Sequence, residues 1–406
     1  MLSWANRFNI FCFLDNNSYQ GKHHQQEVLV GINLSEGLTI ERAEDLNVLT
    51  AFQQSQWLFG HLNYELNLPL FGIQRNKPTT IGFPAGFFFR AGIVVRMSGT
   101  EVTIDADEPS RIFNEISSTR ISTVAATEPV NFSAGLSRKG YLNVIEKLQD
   151  HIRRGDCYEI NFCQEFYSRD VDIQPLELFK RLTSRSPSPF SCFYKINDKF
   201  LVSASPERFL MKKGRTLISQ PIKGTIARNV NNTGEDERLK EELRASAKDQ
   251  AENVMVVDMV RHDLARICET GSVKVEELFG IYSYPQVHQM ISTIEGKLRD
   301  QLSFGEVIAA TFPMGSMTGA PKHKVVQLID EYERSSRNIF SGSVGYIDPN
   351  GDFDFNVVIR SLMYNASQRY LSYKVGSGIT IYSDPEKEWE ECMLKGKALR
   401  ESSYRC

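Results

Sequence analysis

Short apolar runs separated by glycine, proline and asparagine fill residues 10–107 of this 406-residue chain. Three of them are residues 28–32, 82–89 and 94–97. Runs this short, bounded by turn-forming residues, are typical of β-strands. The pattern therefore predicts a series of antiparallel strands and a fold built around them.

The helical pattern is clearest after Ser137, where Tyr141, Ile145 and Leu148 share one face and Gly155 ends the run. Further helices are predicted over residues 235–268, with a break, and over 321–335 and 385–400, the last two opening on a proline. Strands are predicted between them near residues 199–204, 342–347, 354–362 and 369–382. Helices placed irregularly among antiparallel strands favour an α+β fold over a doubly wound sheet.

The length allows two or three average domains or one large β-rich domain, and a hydrophobic fraction of 41% supports a substantial core. Residues 117–129 are rich in serine and threonine and are predicted to form a flexible connection. We therefore expect an N-terminal β-rich part over residues 1–125 and a second part over residues 126–406, together forming one compact body.

Composition excludes several classes of protein. No run of about 18 apolar residues predicts a membrane span, and the N-terminus lacks a secretory signal pattern. Seven cysteines without a Cys-x-x-Cys motif fit neither a disulfide framework nor a zinc site, which predicts a cytoplasmic protein. A net charge of −3 without a basic block predicts no nucleic-acid partner.

Lys223 and Glu207 form the pair of side chains with the clearest chemical potential. An amine attacks only after losing its proton, and with a pKa near ~10.4 roughly one lysine in 2,500 is neutral at pH 7. A carboxylic acid that donates a proton at neutral pH needs a pKa raised by roughly 2–3 units. A desolvated pair can satisfy both needs by passing one proton across. The alternative is a surface salt bridge on a β-turn.

Two acidic pairs, Asp249 with Glu252 and Glu388 with Glu391, have the i, i+3 spacing that places both carboxylates on one helix face. Facing helices with such pairs could bind Mg2+, which prefers oxygen ligands and keeps several waters. Carboxylates at this spacing are also common on hydrated helix faces, so both interpretations stay open.

Residues 315–322 form a glycine-containing loop that leads into a helix, where backbone N–H groups could bind an anion. The spacing differs from that of a Walker A loop. Gly376, Ser377 and Gly378 predict a second glycine-rich turn, which could equally be a simple tight turn.

Arg360 lies in the predicted strand over residues 354–362, where alternation puts it on one face with Val358 and Leu362. A guanidinium among apolar neighbours needs a partner, and a carboxylate that binds both its nitrogens suits it best. That carboxylate could belong to the protein or to a ligand. His288, outside any His-x-x-x-His pattern, is typical of a structural histidine.

Ordered blocks across residues 132–400 resemble the chorismate-utilising enzymes, a family that includes the anthranilate, aminodeoxychorismate, isochorismate and salicylate synthases. The blocks are residues 155–161, 205–207, 251–253, 287–288, 312–322, 342–346, 359–360, 376–378 and 384–391. The resemblance implies a large single α+β body in which two antiparallel β-sheets pack together, with helices outside and a cleft between them.

The resemblance also implies roles for individual residues. Glu252 and Glu391 match the family's Mg2+ ligands, and Asp249 and Glu388 match neighbouring acids that act through water. His288 matches a residue near the ring hydroxyl of chorismate. The remaining positions implied to contact substrate are Arg360, Gly376, Ser377, Gly378, Ser316, Thr225 and Phe340.

The run Pro221-Ile-Lys-Gly-Thr225 resembles that of the aminodeoxychorismate synthases. In these enzymes the lysine attacks ring C2 as the C4 hydroxyl leaves, and ammonia then attacks C4 and expels the lysine. The resemblance makes Lys223 the nucleophile and Glu207 the general acid. Anthranilate synthases typically have alanine at the lysine position, and the water-using members have a lysine at the position of Glu159.

Three functions therefore remain open: amino transfer to chorismate through Lys223, an anthranilate synthase or water-adding reaction with Glu159 as base, and non-catalytic anion or nucleotide binding at residues 315–322. None of the seven cysteines lies in the Gly-x-Cys-x-Gly setting of a glutamine amidotransferase. We therefore expect the chain to use ammonia and to need a separate amidotransferase subunit for glutamine. The chain's end soon after the last matching helix supports the same expectation.

Overall fold

The computed structural model describes residues 1–19, 22–23, 26–74, 77–120 and 129–403. The strands of this part are β1 (Ile10–Asp15), β2 (Val28–Ile40), β3 (Leu58–Leu62), β4 (Gly86–Ser98), β5 (Glu101–Asp105), β6 (Ser133–Ala134), β7 (Glu159–Ser168), β8 (Phe190–Ile196), β9 (Lys199–Ser205), β10 (Arg208–Lys213), β11 (Thr216–Gln220), β12 (Ile222–Ala227), β13 (Lys274–Ser283), β14 (Val287–Lys297), β15 (Gly319–Ala320), β16 (Ser343–Ile347), β17 (Phe353–Asn356), β18 (Ser361–Asn365) and β19 (Tyr370–Ile379).

Helices flank these strands. The α-helices are α1 (Leu2–Ala5), α2 (Leu49–Gln53), α3 (Pro109–Ser118), α4 (Arg138–Arg153), α5 (Pro175–Arg185), α6 (Thr233–Ala245), α7 (Ala247–Ala265), α8 (Phe304–Thr311), α9 (Lys322–Tyr332), α10 (Pro385–Lys395) and α11 (Lys397–Ser402). Short 3-10 helices cover Ala43–Val48, Tyr64–Phe71 and Gly315–Met317.

The strands join into one antiparallel network with two arms. Strands β2 and β4 pair with each other along their full length. Because both strands are long, each takes part in both arms. The first arm runs β4, β2, β1, β8, β9, β18, β19 and β7. The second runs β4, β3, β16, β17, β10, β11 and β14, with β12 and β13 paired to β14. The two sheets of the predicted α+β fold are therefore continuous through β2 and β4.

Two of the places where the chain passes from one arm to the other lie next to each other. The chain passes from β9 to β10 through Pro206 and Glu207, and from β17 to β18 through residues 357–360. The two crossings are hydrogen-bonded to each other, since the Val357 N–H donates to the Glu207 carbonyl at 3.0 Å and the Ala204 N–H donates to the Arg360 carbonyl at 3.1 Å. Backbone hydrogen bonds thus fix the positions of Glu207 and Arg360 where the arms meet.

Three clusters of buried apolar side chains form the core. The largest lies largely along the second arm and includes Phe59, Phe88 and Phe355. The second packs α5 and α11 against the first arm around Phe193 and Tyr373, and the third packs α4 and α9. The helices therefore cover the outer sides of the sheets, as the predicted fold class requires.

Local sequence signals account for the helix boundaries. The Ser137 hydroxyl accepts a hydrogen bond from the Gly140 N–H and begins α4, as predicted. The predicted helix over residues 235–268 breaks at Ser246, whose extended backbone ends α6 and whose hydroxyl accepts from the Asp249 N–H at the start of α7. No helix in the described residues is long and apolar enough to cross a membrane.

One strand prediction and one turn prediction are wrong in detail. The predicted strand over residues 354–362 is interrupted, because residues 357–360 form the second crossing and Arg360 has a φ of +52°. Strand alternation therefore does not determine where Arg360 points. The predicted turn at residues 376–378 lies inside β19, paired in register with residues 161–163 of β7.

Strands from both predicted parts of the chain pair directly, β1 with β8 and β3 with β16. The division at residue 125 stays a prediction. Helix α3 reaches Ser118, within the connection predicted over residues 117–129, and residues 121–128 of that connection lie outside the described residues.

Candidate active site

A hydrogen bond between Lys223 and Glu159 connects the ends of the two arms. Lys223 lies on β12 of the second arm and Glu159 begins β7 of the first. The Lys223 Nζ donates to the Glu159 Oε1 at 2.5 Å, and the two side chains are only 10% and 3% exposed. The lysine is therefore not on a surface turn, and its hydrogen-bonded partner is Glu159 rather than the predicted Glu207.

A β-bulge directs Lys223 into this position. The pairing of β12 with β14 shifts register between Ile222 and Thr225, which leaves an extra residue on the β12 side. Gly224 supplies the φ of +91° that the bulge needs, and a Cβ there would lie 2.9 Å from the Asp249 Cβ. The bulge thus turns Lys223 toward the first arm and brings the chain against α7.

The surrounding carboxylates keep Lys223 protonated. Burial alone lowers the pKa of the Lys223 amine, but the negative charges of Glu159, Glu252 and Glu207 outweigh it, so the net pKa is raised. The predicted neutral amine is therefore not the resting form of this site. The proton must leave during the reaction if the lysine is to attack.

Glu207 has the electrostatic character of an acid that is protonated near neutral pH. Burial raises the pKa of its carboxyl group to about 7, against the opposing effects of the Ser316 hydroxyl, the Lys223 charge and the Ile222 N–H. Only 4% of the residue is exposed. A carboxyl group in this state can donate a proton to a leaving group at neutral pH.

The loop over residues 315–322 lies against the start of β7. The Asn161 side-chain amide donates to the Ser316 carbonyl at 3.0 Å, and the Asn161 N–H donates to the Thr318 carbonyl at 2.7 Å. Ser316 is thereby held beside Glu207. Lys322, which follows this loop, forms an ion pair with the largely buried Asp263.

The glycines of β19 allow the strand to pass close to the lysine pair. A Cβ at Gly378 would lie 2.5 Å from the Glu159 Oε1 and 3.1 Å from the Lys223 Nζ. A Cβ at Gly376 would lie 2.3 Å from the Phe162 carbonyl oxygen. Ser377, between them, is buried. The glycines therefore serve close packing within a strand rather than a turn.

Arg360 is half-buried and has an available guanidinium group. Among the described residues, its side chain makes no hydrogen bond or salt bridge. Burial lowers the pKa of the Arg360 guanidinium, and the charge of Glu391 acts in the opposite direction. A half-buried guanidinium without a bonded counterion in the described residues is a natural binding point for a ligand carboxylate.

The two acidic pairs lie on two helices that both approach Lys248. Asp249 and Glu252 lie on α7, and Glu388 and Glu391 lie on α10. All four carboxylates act on one ammonium group, that of Lys248, and their combined effect raises its pKa although burial lowers it. The two helices therefore bring four carboxylates to one region beside the lysine pair.

These carboxylates suit Mg2+ in chemistry, since they are hard oxygen ligands. In the described residues, no three acidic, histidine or cysteine side chains are close enough together to hold a metal ion. Glu391 is paired with Lys395 at 2.6 Å, and Glu252 lies 3.8 Å from Lys248. Mg2+ binding by these carboxylates stays a prediction.

His288, Thr225 and Phe340 lie in different surroundings. His288 is 1% exposed, and its ring nitrogens contact the Ser283 hydroxyl at 2.8 Å and the Asp236 carboxylate at 3.2 Å. Thr225 is exposed on β12, and Phe340 is buried in the largest core cluster. Contact of these residues with substrate stays a prediction.

A family model described as chorismate binding enzyme matches residues 9–401. The chain belongs to the chorismate binding enzyme family. This membership confirms the resemblance inferred from the sequence blocks, and it covers nearly all of the two arms and the helices that carry the candidate site.

Curated relatives within the family are named for two activities. Aminodeoxychorismate synthase, chloroplastic, of Arabidopsis thaliana is 41% identical over 271 residues, which are 66% of this chain and 29% of the relative. Aminodeoxychorismate synthase component 1 of Escherichia coli is 37% identical over 265 residues, 65% of this chain and 58% of the relative. An anthranilate synthase component I-like protein of Synechocystis is 32% identical over 84% of this chain and 71% of its own length. The chain thus spans less than a third of the Arabidopsis relative.

Solved structures share the fold. Anthranilate synthase component I from Streptococcus pneumoniae matches with a TM-score of 0.83 at 22% identity, over 94% of this chain and 95% of that one. The menaquinone-specific isochorismate synthase from Escherichia coli matches with a TM-score of 0.80 at 17% identity, over 100% and 91%. These matches confirm the predicted α+β fold of this chorismate binding enzyme.

Arg337 is a site residue that sequence reasoning missed. It is 1% exposed and donates to the Asn161 carbonyl at 2.8 Å, to the Met317 carbonyl at 2.7 Å and to both oxygens of Glu333. It therefore fastens the loop beside Ser316 to β7. The sequence pattern around Arg337 is a weak indication of this role, because a lone arginine before an apolar run does not show that the arginine is buried.

Proposed function

We propose that this chain is an aminodeoxychorismate synthase component that converts chorismate and ammonia to 4-amino-4-deoxychorismate. The observation that carries the proposal is a buried lysine at the meeting point of the arms, near a carboxyl group whose pKa is raised to about 7. The lysine supplies a nucleophile and the carboxyl group supplies a proton, as displacement of the ring hydroxyl requires.

In this proposal Lys223 forms a bond to ring C2 while the C4 hydroxyl departs with the proton of Glu207. Ammonia then forms a bond to C4 and releases the lysine. Dividing one difficult displacement into two replaces a poor direct attack with two steps of lower barrier. The alanine that is typical of anthranilate synthases at the Lys223 position has no side-chain amine and could not form this bond to C2.

Arg360 supplies the binding partner for a substrate carboxylate. No carboxylate in the described part of the chain is bonded to it, which supports the interpretation that the ligand provides one. Ser316 and the backbone beside Gly376, Ser377 and Gly378 complete the proposed substrate contacts. The predicted contacts of His288, Thr225 and Phe340 belong to the same proposal.

Glu252 and Glu391 are the proposed ligands of Mg2+, with Asp249 and Glu388 acting through water. When bound, the ion would neutralise substrate charge in a region that otherwise carries an excess of carboxylates. Lys248 and Lys395 are the positively charged side chains next to those carboxylates.

Product analysis tests this function. The purified chain, with chorismate, Mg2+ and ammonium chloride at mildly alkaline pH, should give 4-amino-4-deoxychorismate by mass spectrometry and NMR. Anthranilate as the product would assign the chain to the second activity named among its relatives. Isochorismate or salicylate would assign it to the water-adding reaction, and the absence of chorismate turnover would favour the anion-binding alternative.

We also propose that glutamine use requires a separate amidotransferase subunit. The six cysteines in the described residues are all buried, and burial raises the pKa of Cys157 and Cys268 to about 11, so these thiols are poor nucleophiles. Cys406 lies outside the described residues. The chain alone should turn over chorismate with ammonium and not with glutamine, and adding an amidotransferase subunit should restore glutamine use.

A further inference from the structure

The proposed reaction requires an acceptor for the proton of Lys223, and the structure limits the candidates. The charged groups that face the Lys223 ammonium are Glu159 on β7, Glu252 on α7, Glu207 at the first crossing and Glu391 on α10. Among these, Glu159 is the group with a hydrogen bond to the Nζ atom. Glu207 must itself hold a proton to act as the acid, so it cannot accept another.

Glu159 has a second property that suits proton acceptance. Its Oε2 atom is buried and has no hydrogen-bond partner in the described part of the chain. A carboxylate that accepts several hydrogen bonds is a weak base, because each bond stabilises the ionised form. Within the described residues, the hydrogen bond that the Glu159 side chain accepts is the one from Lys223.

The backbone holds the Lys223–Glu159 contact in place. Gly378 passes so close that a side chain there would overlap the Glu159 Oε1, and β15 pairs with β7 at Glu159 itself. The bulge at Gly224 fixes the other partner. The donor and the acceptor are thus held by separate, rigid strands, at a distance short enough for direct proton transfer.

We propose that Glu159 is the base that takes the proton from Lys223, an inference that rests on the covalent mechanism proposed above. In the first step the proton moves to Glu159, the Nζ–C2 bond forms, the C4–O bond breaks, and the Glu207 proton leaves with the hydroxyl as water. In the second step ammonia forms the C4–N bond and the C2–Nζ bond breaks. The freed amine recovers its proton from Glu159, and the new C4 ammonium returns one to Glu207.

Glu159→Gln tests the proposal because it keeps the shape of the side chain and removes its basicity. The full-length chain is mixed with Mg2+ and chorismate without ammonium, and the covalent adduct, the protein plus chorismate less one water, is followed by rapid quench and intact-protein mass spectrometry. Adduct formation should slow by about 100-fold at pH 7. The ratio of wild-type to variant rates should shrink as the pH rises, because hydroxide then removes the lysine proton.

Glu165→Gln is the matched control. Glu165 lies on the same strand and forms a buried ion pair with Lys374 at 3.5 Å, so the substitution also removes the charge from a buried lysine's partner. Its adduct rate should stay within about twofold of wild type. An equal slowing in both variants would overturn the proposal, since the effect would then come from disruption of β7.

The opposite result at Glu159 is equally informative. If Glu159 only stabilises the ammonium form, Glu159→Gln frees the amine and the adduct forms as fast as in wild type or faster, which overturns the proposal. If wild type makes 4-amino-4-deoxychorismate without any adduct, the covalent function itself fails. Should Glu159→Gln fold poorly, Glu159→Asp replaces it, with an expected slowing of about tenfold that keeps the wild-type pH dependence; an unchanged rate would contradict the inference.

Discussion

Two buried lysine–glutamate pairs lie along the same strand, β7, and they serve different purposes. Lys374 forms an ion pair with Glu165 across two strands of one sheet at 3.5 Å and donates a hydrogen bond to the Ser335 hydroxyl at 2.5 Å. The pair of Lys223 and Glu159 instead joins two arms, and one of its carboxylate oxygens has no partner in the described residues.

The comparison shows that burial of a charge pair does not by itself identify a reactive site. Buried pairs with complete hydrogen bonding mainly specify structure, and their removal leaves an uncompensated charge. A buried pair with incomplete hydrogen bonding can still change its protonation. Of these two pairs on β7, the one with incomplete hydrogen bonding lies beside Glu207 and the acidic helices.

The largest expected effect comes from removing each lysine. Lys223→Ala should reduce formation of 4-amino-4-deoxychorismate by at least about 10³-fold, because the nucleophile is lost. Lys374→Ala should keep substantial activity but lower the free energy of unfolding by about 3 kcal/mol, because Glu165 is left buried without its partner. Steady-state kinetics and denaturant unfolding measure the two effects. Near-wild-type turnover by Lys223→Ala at saturating ammonium would rule out covalent catalysis.

A smaller effect is expected at the acidic helices. Glu252→Gln and Glu391→Gln should each raise the Mg2+ concentration for half-maximal rate by about 10–100-fold, as expected when a charged metal ligand is lost. Glu386→Gln, on the exposed first turn of α10 and paired with Arg138, should leave the Mg2+ dependence unchanged. Unchanged dependence in all three variants would assign the acids to a hydrated helix face.

Glu207 is a third buried carboxyl group. Its replacement should raise the free energy of unfolding at alkaline pH, whereas Lys374→Ala should lower it. The folded pKa of Glu207, about 7, exceeds its ordinary value of 4.5, so the unfolded chain releases this proton first and stability falls as the pH rises between these values. Glu207→Gln should remove that dependence and raise the free energy of unfolding at pH 8 by about 2–3 kcal/mol, while activity is lost. Denaturant unfolding at pH 5 and pH 8 checks the sign. If Glu207→Gln destabilised the fold equally at both pH values, burial would not raise the pKa of Glu207.

The smallest expected effect concerns Ser316. Its hydroxyl lowers the pKa of Glu207, so Ser316→Ala should raise that pKa and move the alkaline limb of the rate of adduct formation to higher pH. The displacement should be less than about 1 pH unit, as expected for one hydrogen bond to a carboxylate. A pH profile of the adduct rate measures it. A limb moved to lower pH would contradict the assigned interaction.

Much of the fold was predictable because its signals are local. The helix that begins at Ser137 and the break at Ser246 both follow from short-range capping. The interrupted strand before Arg360 was not predictable, since its cause is a crossing between two distant arms. Glycines that permit close strand packing look like turn glycines in a sequence, which explains the wrong prediction at Gly376 and Gly378.

The candidate site was predicted in its residue types more than in its contacts. Lys223, Glu207 and the acidic pairs were identified, but the partner of Lys223 was assigned to Glu207, which is closer in sequence than Glu159. The bulge at Gly224 decides which carboxylate the lysine meets. A bulge depends on strand pairing across the sheet, and a single sequence does not show that pairing.

The pairing of early strands with late ones also sets the order in which this chain can fold. Strand β1 needs β8, and β3 needs β16. The residues of β16 leave the ribosome only after most of the chain has been made. Until then β3, with all five of its residues destined for the core, presents an unpaired apolar edge. Such long-range pairing makes folding slow and mostly post-translational, and it makes nascent or truncated chains prone to aggregate through that edge.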